Sequence, residues 1–146
     1  MRQNENHIEI KFFDFDITHD EFTRAIGLQP THFWSRNDPY QIGPITKRKE
    51  MLRRETFWGF EIKSITNDFI GEKAKAFLID IIVPRIEKIK FLTKKYHGEF
   101  SVVQYMYNGC NPGLYFDKEQ LSILHNSGLE LNVDIYVLSD NENKND

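Results

Sequence analysis

Carboxylates and one imidazole crowd a short stretch near the N-terminus, where Asp14, Asp16, His19, Asp20 and Glu21 lie close together in sequence. Carboxylates beside a histidine can bind a divalent metal ion or act as an acid and base pair. The same residue types also stabilise the first turn of a helix, through the helix dipole and through capping. Structural use is the commoner reason for such a cluster, so we predict helix stabilisation here and keep an enzyme as an alternative.

The remaining polar groups lack the spacing that catalytic and metal sites require. No two histidines lie four apart, as ligands on one helix would, and Cys110 sits among turn residues without the context of an activated nucleophile. Gly109 and Gly113 do not open onto a helix as a phosphate-binding loop does. We therefore predict no catalytic residue, no metal site and no cofactor, in a protein that is not an enzyme. The histidines are His7, His19, His32, His97 and His125.

A basic run from Lys47 to Arg54 is the best candidate for surface recognition. Aromatic residues are close to it in sequence, and arginine next to aromatic rings can grip phosphate and stack on bases. The same residue types are enriched in protein interfaces, and a run interleaved with Glu50 and Glu55 can equally be a solvated loop. The predicted binding residues are Trp34, Arg48, Arg53, Arg54 and Trp58 in this region, together with Asp14 and Asp16.

The totals indicate a globular protein of ordinary composition. The chain has 146 residues, a length that normally forms one domain. Hydrophobic residues make up 40% and charged residues 28%, which excludes general disorder. The net charge of −3 is too small to argue for a nucleic-acid-binding surface over the whole molecule. We predict a single domain over residues 1–139 and a disordered polar tail over residues 140–146.

The compartment is predicted from cysteine content and hydropathy. A lone cysteine forms no internal disulfide, and the polar start, Met1 to Asn6, differs from a secretory signal. The longest apolar stretch, Ile79 to Val83, is interrupted by Asp80 and is far short of the ~20 residues that cross a bilayer. We predict a cytoplasmic protein without a membrane partner.

The elements that must position these residues begin with a strand and a helix. Apolar and polar residues alternate over residues 8–15, with a change of parity near Phe13 that predicts a bulge or burial on both faces. A helix then starts at a capping box formed by Thr18 and Glu21 and ends at Gly27. The acidic cluster therefore falls on the end of the strand and the first turn of the helix.

The middle of the chain has a strand and a long helical pattern. The turn signals and the many charges in residues 35–55 predict either a mobile loop or a short exposed helix. Alternation over residues 56–62 predicts the second strand. An apolar stripe that starts at residues 67–68 runs as far as Gly98, and Pro84 divides it into two helical segments.

The last part repeats the order of strand, capped helix and strand. A strand over residues 100–107 leads to a turn-rich loop over residues 108–113. Asp117 caps a helix that Gly128 ends, and the cleanest alternation in the chain then covers residues 129–137.

These elements predict an α+β fold. We expect one mixed, mainly antiparallel sheet of four to five strands packed by helices. Residues 8–62 and 100–138 form two β-α-β halves, which suggests a ferredoxin-like layout, with the helical segments around Pro84 inserted between the halves.

The order of several motifs resembles a known family. These motifs are the helix and its end in Ile17 to Thr31, then Trp34, then Trp58-Gly59-Phe60, and finally Leu129 to Val137. In this order and at this length the chain is similar to the bacterial domain of unknown function family 4279, over about residues 8 to 138. The resemblance implies no established activity and no catalytic residues.

The preferred function is protein binding without catalysis. An immunity protein that neutralises a bacterial toxin is the most concrete version, with carboxylates such as Asp14, Asp16, Glu130 and Asp134 steering the chain toward a cationic partner. The alternative is a nucleic-acid or anionic-ligand binding protein that acts through the basic aromatic segment 34–58. The partner is accordingly another protein in the first hypothesis and nucleic acid in the second.

Overall fold

Strand β1, Glu5–Phe13, lies at the centre of a five-stranded sheet. The computed structural model describes residues 2–107, 109 and 111–139. The neighbours of β1 are β5, Phe57–Ile65, and β6, His97–Met106, and both pair with it in antiparallel orientation. The alternation of apolar and polar residues in all three strands produces this arrangement, because each strand buries one face.

Two further strands form the edges of the sheet. The short strand β2, His32–Trp34, pairs antiparallel with β5, and β7, Glu130–Val137, pairs parallel with β6. The strand order is β2-β5-β1-β6-β7. The predicted α+β class, with a mixed and mainly antiparallel sheet, is confirmed.

A ferredoxin-like layout accounts for four of these strands. Helix α1, His19–Ile26, connects β1 to β2, and β5 lies between these two strands. The helices between β5 and β6 make the second crossover of this layout, where the sequence predicted an insertion. Strand β6, a helix over Lys118–Ser127 and β7 then form a unit that adds the fifth strand. The two predicted halves therefore differ, because β1 and β5 are antiparallel whereas β6 and β7 are parallel.

The capped helices form as their sequences predict. In α1 the Thr18 hydroxyl accepts a hydrogen bond from Glu21 N at 3.1 Å, and the Glu21 carboxylate accepts one from Thr18 N at 2.8 Å. Helix α4, Lys118–Ser127, has the same capping box, made by Asp117 and Gln120. Gly27 and Gly128 follow the two helices with φ values of +71° and +76°, a conformation that glycine adopts without steric cost.

The predicted break at Pro84 is present in the second crossover. Helix α2, Gly71–Phe77, continues into a π-helical turn over Leu78–Ile82, and a 3₁₀ turn over Val83–Arg85 contains the proline. Helix α3, Ile86–Thr93, follows. Proline has no amide hydrogen to donate, and the chain changes its hydrogen-bonding pattern around it. None of the helices in the described residues is long and apolar enough to span a bilayer.

Residues 35–55 form neither a loop alone nor an α-helix. Strands β3, Pro39–Ile42, and β4, Lys49–Leu52, pair antiparallel as a small two-stranded sheet, which we call the hairpin. A 3₁₀ turn over Ile45–Lys47 joins them. Apolar residues pair across the hairpin at Pro39 with Leu52 and at Tyr40 with Met51, and the charges of the basic run hide this pattern in the sequence.

The core lies between the helices and one face of the sheet. Ile8, Ile10 and Phe12 of β1 are fully buried in it, together with residues from all four α-helices. The change of parity near Phe13 marks the end of β1, since Asp14 takes a φ of +50° and turns the chain. Phe15 then enters the core against α1. The register of β1 runs without a bulge through Phe13, so neither the predicted bulge nor the alternative of burial on both faces is present.

The loop and tail predicted beyond β6 are described only in part. Asn108 and Cys110 of the predicted turn lie outside the described residues, as does the predicted tail over residues 140–146.

Candidate functional site

The side of the sheet opposite the core carries most of the polar side chains of the strands. On β1, His7, Glu9 and Lys11 alternate with the buried core residues and therefore point to this side. Residues that pair with these three on β5 and β6, and the residues that pair in turn on β2 and β7, point to the same side. We call this surface the polar face. Its further members include Phe57, Glu61 and Lys63 on β5, Glu99 and Tyr105 on β6, Glu130, Asp134 and Tyr136 on β7, and His32 and Trp34 on β2.

A cluster of one imidazole and two carboxylates lies where β1, β2 and β5 meet. The ligand atoms of Glu9, His32 and Glu61 lie within 4.8 Å of one another, and we call these residues the histidine–glutamate cluster. His32 Nε2 is 3.2 Å from Glu9 Oε2. The Glu9 side chain is only 10% exposed, so its carboxylate interacts in a medium where water screens little. This arrangement can bind a cation or exchange a proton.

Neighbouring groups fix the orientation of the cluster. The Thr31 hydroxyl lies 3.1 Å from His32 Nδ1 and accepts a hydrogen bond from Glu61 N at 3.0 Å. On the other side, His7 Nδ1 is 3.0 Å from Glu61 Oε1. The hydrogen bond with Glu9 raises the pKa of His32, because the carboxylate stabilises the imidazolium form.

A row of stacked groups extends from the cluster toward the hairpin. The rings of His32 and Phe57 are 5.3 Å apart and nearly parallel, and Phe57 stacks on Trp34 at 4.2 Å. The Arg53 guanidinium lies 3.9 Å from the centre of the Trp34 ring and 4.0 Å from that of Tyr40. We call this row the aromatic stack. Through the cation–π contacts of Arg53, the aromatic stack connects the hairpin to the main sheet.

Strand β7 presents apolar side chains at the far edge of the sheet. Leu131, Val133, Ile135 and Val137 are 43%, 36%, 52% and 71% exposed. In the described residues β7 pairs on one side only, with β6, so the main-chain groups of its other side face outward. An exposed apolar stripe on an unpaired edge strand is the type of surface that other chains recognise.

The polar face has an excess of negative charge. Carboxylates dominate among its ionisable groups, and the lysines present are engaged: Lys63 Nζ is 2.9 Å from Glu5 Oε1, and Lys11 Nζ is 3.8 Å from Glu99 Oε2. Next to the apolar stripe, Glu130 and Asp134 are exposed on β7. The carboxylates are those of Glu5, Glu9, Glu61, Glu99, Glu130 and Asp134.

The acidic residues near the N-terminus do not converge on one point. Asp14 Oδ1 accepts hydrogen bonds from Arg36 Nη2 at 2.9 Å and from Thr56 N at 3.2 Å. Asp16 accepts a hydrogen bond from the Tyr96 hydroxyl, which raises the pKa of Tyr96.

The other members of that stretch have structural contacts as well. Glu21 completes the cap of α1, and its hydrogen bonds from Thr18 lower its pKa. His19 Nε2 lies 3.0 Å from Trp34 O and 3.2 Å from Phe57 O, so its ring connects α1 to two strands. Among the described residues, the groups whose ligand atoms could share a metal ion lie elsewhere. The contacts of this stretch match the predicted structural use.

The predicted aromatic and basic residues separate in space. Trp58 is fully buried in the core, where its Nε1 donates to Thr23 Oγ1 at 3.1 Å, so a partner cannot touch it. Trp34 and Arg53 lie together in the aromatic stack. Arg48 reaches Gln41 within the hairpin, and Arg54 is exposed.

No sequence pattern indicated that Glu9, His32 and Glu61 would form the histidine–glutamate cluster. Parity would have placed Glu9 and Glu61 opposite their apolar neighbours, but the pairing of β1 with β5 had to be known to bring them together. His32 lies outside every predicted strand, since a strand of three residues is too short to show alternation.

Residues 4–138 match the family model described as "Domain of unknown function (DUF4279)". No curated protein and no solved structure matches the chain.

Proposed function

The chain belongs to the DUF4279 family, whose description states no activity, and we propose that it is a non-enzymatic protein-binding module whose partner docks on β7. The observation that supports this proposal is the exposed apolar stripe of β7 on an unpaired edge. Main-chain groups along such an edge give affinity, and alternate side chains give specificity. A stripe of this kind is a hazard for an isolated chain unless another chain covers it.

The chemistry around β7 selects the kind of partner. Glu130 and Asp134 alternate with the residues of the apolar stripe along β7 and point to the polar face, where further carboxylates lie. A partner with a basic surface around an apolar patch is complementary to this arrangement, and opposite charges accelerate its association. The most concrete version is an immunity protein that neutralises a basic bacterial toxin in the cytoplasm.

The test combines a neighbouring gene product with a matched pair of variants. The full chain is co-expressed with the product of the adjacent gene, and we expect rescue of growth and a stable complex. Ile135→Lys places a charge in the apolar stripe and should weaken the complex at least about tenfold, the scale of a central interface residue. Ile65→Lys is the control. Ile65 is 59% exposed, against 52% for Ile135, and it lies on β5, which β1 and β6 separate from β7.

Three outcomes would overturn the proposal. The first is equal binding by the wild type and Ile135→Lys, and the second is an adjacent gene product that neither binds nor kills. The third is a stable homodimer that Ile135→Lys converts to a monomer, measured by light scattering after gel filtration. In that case a second copy of the chain, and not a toxin, covers β7.

A second candidate function rests on the hairpin. Lys47, Arg48 and Lys49 line an open cavity of about 900 Å³ at the end of the hairpin, which suits a polyanion. Single-stranded nucleic acid would then bind with strong salt dependence, and Arg48→Ala would weaken binding and reduce the salt slope by about one. Arg53 already lies between two rings of the aromatic stack, so its guanidinium faces are occupied. Retention that does not change with salt would remove this candidate.

A further inference from the structure

The histidine–glutamate cluster has the dimensions of a metal site. Its ligand atoms come from three neighbouring strands and lie within 4.8 Å of one another. A zinc ion about 2.0–2.2 Å from each ligand holds those ligands roughly 3–3.5 Å apart. His32 Nε2 and Glu9 Oε2 are 3.2 Å apart, so these two ligand atoms already have the spacing that a bound zinc ion requires.

Unbalanced charge favours a cation at this place. Glu9 and Glu61 approach one another with side chains only 10% and 27% exposed. Among the described residues, the ion pairs of the nearest lysines run to Glu5 and Glu99, outside the cluster. Like charges in a partly buried site repel each other. His32 contacts Glu9 and His7 contacts Glu61, and when these imidazoles are neutral a divalent ion compensates both carboxylates.

The surroundings of the cluster resemble the second layer of contacts around metal ligands. The Thr31 hydroxyl holds His32 through Nδ1, which directs Nε2 to Glu9. His7 bridges Glu61 and Glu5 through its two ring nitrogens, at 3.0 Å and 2.7 Å. Contacts of this type orient metal-binding histidines and carboxylates, and removing them typically weakens binding by about 10- to 100-fold.

We propose that Glu9, His32 and Glu61 bind a divalent transition-metal ion. An imidazole with two carboxylates suits Zn²⁺, Mn²⁺ or Co²⁺, whereas Mg²⁺ and Ca²⁺ prefer oxygen ligands alone. Three protein ligands leave a coordination position for water or for a group from a partner. This proposal does not rest on the docking of a protein on β7, because the cluster lies at the opposite end of the strand order.

The test is a titration of the chelator-treated full chain with Zn²⁺. We expect a single saturable site by calorimetry, a higher melting temperature with Zn²⁺ than with Mg²⁺, and visible absorption bands when Co²⁺ is used. His32→Gln and Glu61→Gln should each lower the affinity for Zn²⁺ at least about tenfold. Circular dichroism of the variants checks that they are folded, and Glu61→Gln keeps the test valid if the histidine variant is unstable.

The matched control is His97→Gln. His97, Glu99 and Glu130 form the other described group whose ligand atoms lie within 4.8 Å, but the His97 side chain is 46% exposed and that of Glu130 is 70% exposed. We expect this variant to bind Zn²⁺ as the wild type does. Absence of Zn²⁺ binding, or binding that is lost with His97→Gln and kept with His32→Gln, would overturn the proposal.

Discussion

The two faces of the sheet use neighbouring residues of the same strands for opposite purposes. On β1, Ile8 and Ile10 are fully buried against the helices, while His7 and Glu9, their direct neighbours in sequence, join ionic contacts on the polar face. The core face stabilises the fold by burial of apolar surface. The polar face holds groups whose pairing with one another contributes less to stability and which are suited to bind ions. The loss of stability caused by a substitution should therefore depend on which face of the sheet carries the side chain.

The two tryptophans give the largest expected contrast. Trp58→Ala should destabilise the protein by about 3–5 kcal/mol, because it leaves a cavity in the core and removes the hydrogen bond to Thr23. Trp34→Ala, on the polar face, removes a partly exposed ring from the aromatic stack and should cost about 1 kcal/mol. Urea unfolding followed by circular dichroism measures both. Equal losses would contradict the division of labour between the faces.

The glycines of two strands test the same contrast by adding a methyl group. A Cβ on Gly98, on the core face, would lie 2.6 Å from the Phe12 ring and 3.0 Å from Leu129. Packing there is close, so Gly98→Ala should cost about 1–3 kcal/mol. A Cβ on Gly59, on the polar face, would lie 2.8 Å from the Phe57 ring and 3.1 Å from Glu9 Oε1.

We expect Gly59→Ala to cost less than Gly98→Ala, because its contacts of 2.8 Å and 3.1 Å are with the ends of two side chains, whereas Gly98→Ala brings a methyl group to 2.6 Å from the fully buried Phe12 ring. Thermal unfolding ranks the two variants. A larger loss for Gly59→Ala would mean that the polar face is packed as rigidly as the core.

Local sequence patterns predicted the elements that local contacts determine. The capping box of Thr18 and Glu21 and the glycine after it define α1 without reference to the rest of the chain, and Asp117, Gln120 and Gly128 do the same for α4. The longer strands also show their alternation in sequence. The α+β class could be predicted for this reason.

The hairpin and the histidine–glutamate cluster could not be predicted from sequence, because both depend on pairing between distant residues. The hairpin depends on Tyr40 and Met51 meeting across a charged turn. The histidine–glutamate cluster depends on the register that puts His32 and Lys11 on either side of Gly59. Trp34 and Trp58 have the same residue type, but the pairing of β2 with β5 places their side chains on opposite faces of the sheet.

The pH dependence of the His32–Glu9 pair should show the smaller contribution of the polar face. The pKa of His32 is raised by the hydrogen bond to Glu9, so the pair is fully stabilising below the unfolded pKa of about 6.5 and loses this effect as pH rises through the folded pKa. The difference in unfolding free energy between the wild type and Glu9→Gln should therefore shrink with increasing pH.

Proton NMR titration provides the direct measurement, with a chelator present so that metal ions do not compete for the imidazole. We expect the His32 midpoint above its unfolded value in the wild type and lower in Glu9→Gln. A midpoint of His32 that does not respond to Glu9→Gln would show that the two side chains do not pair in solution.

Neutralising the carboxylates of β7 should have the smallest effect on stability. Glu130 and Asp134 are exposed on the polar face, and substitutions at such positions usually change stability by less than about 0.5 kcal/mol. The double variant Glu130→Gln, Asp134→Asn should therefore unfold at nearly the same urea concentration as the wild type, yet associate more slowly with a basic partner at low salt. The salt dependence of the association rate separates the two effects, because screening removes steering without altering the apolar contact. A variant that loses stability and keeps its association rate would reverse the roles assigned to the two faces, since the polar face would then be part of the folding core.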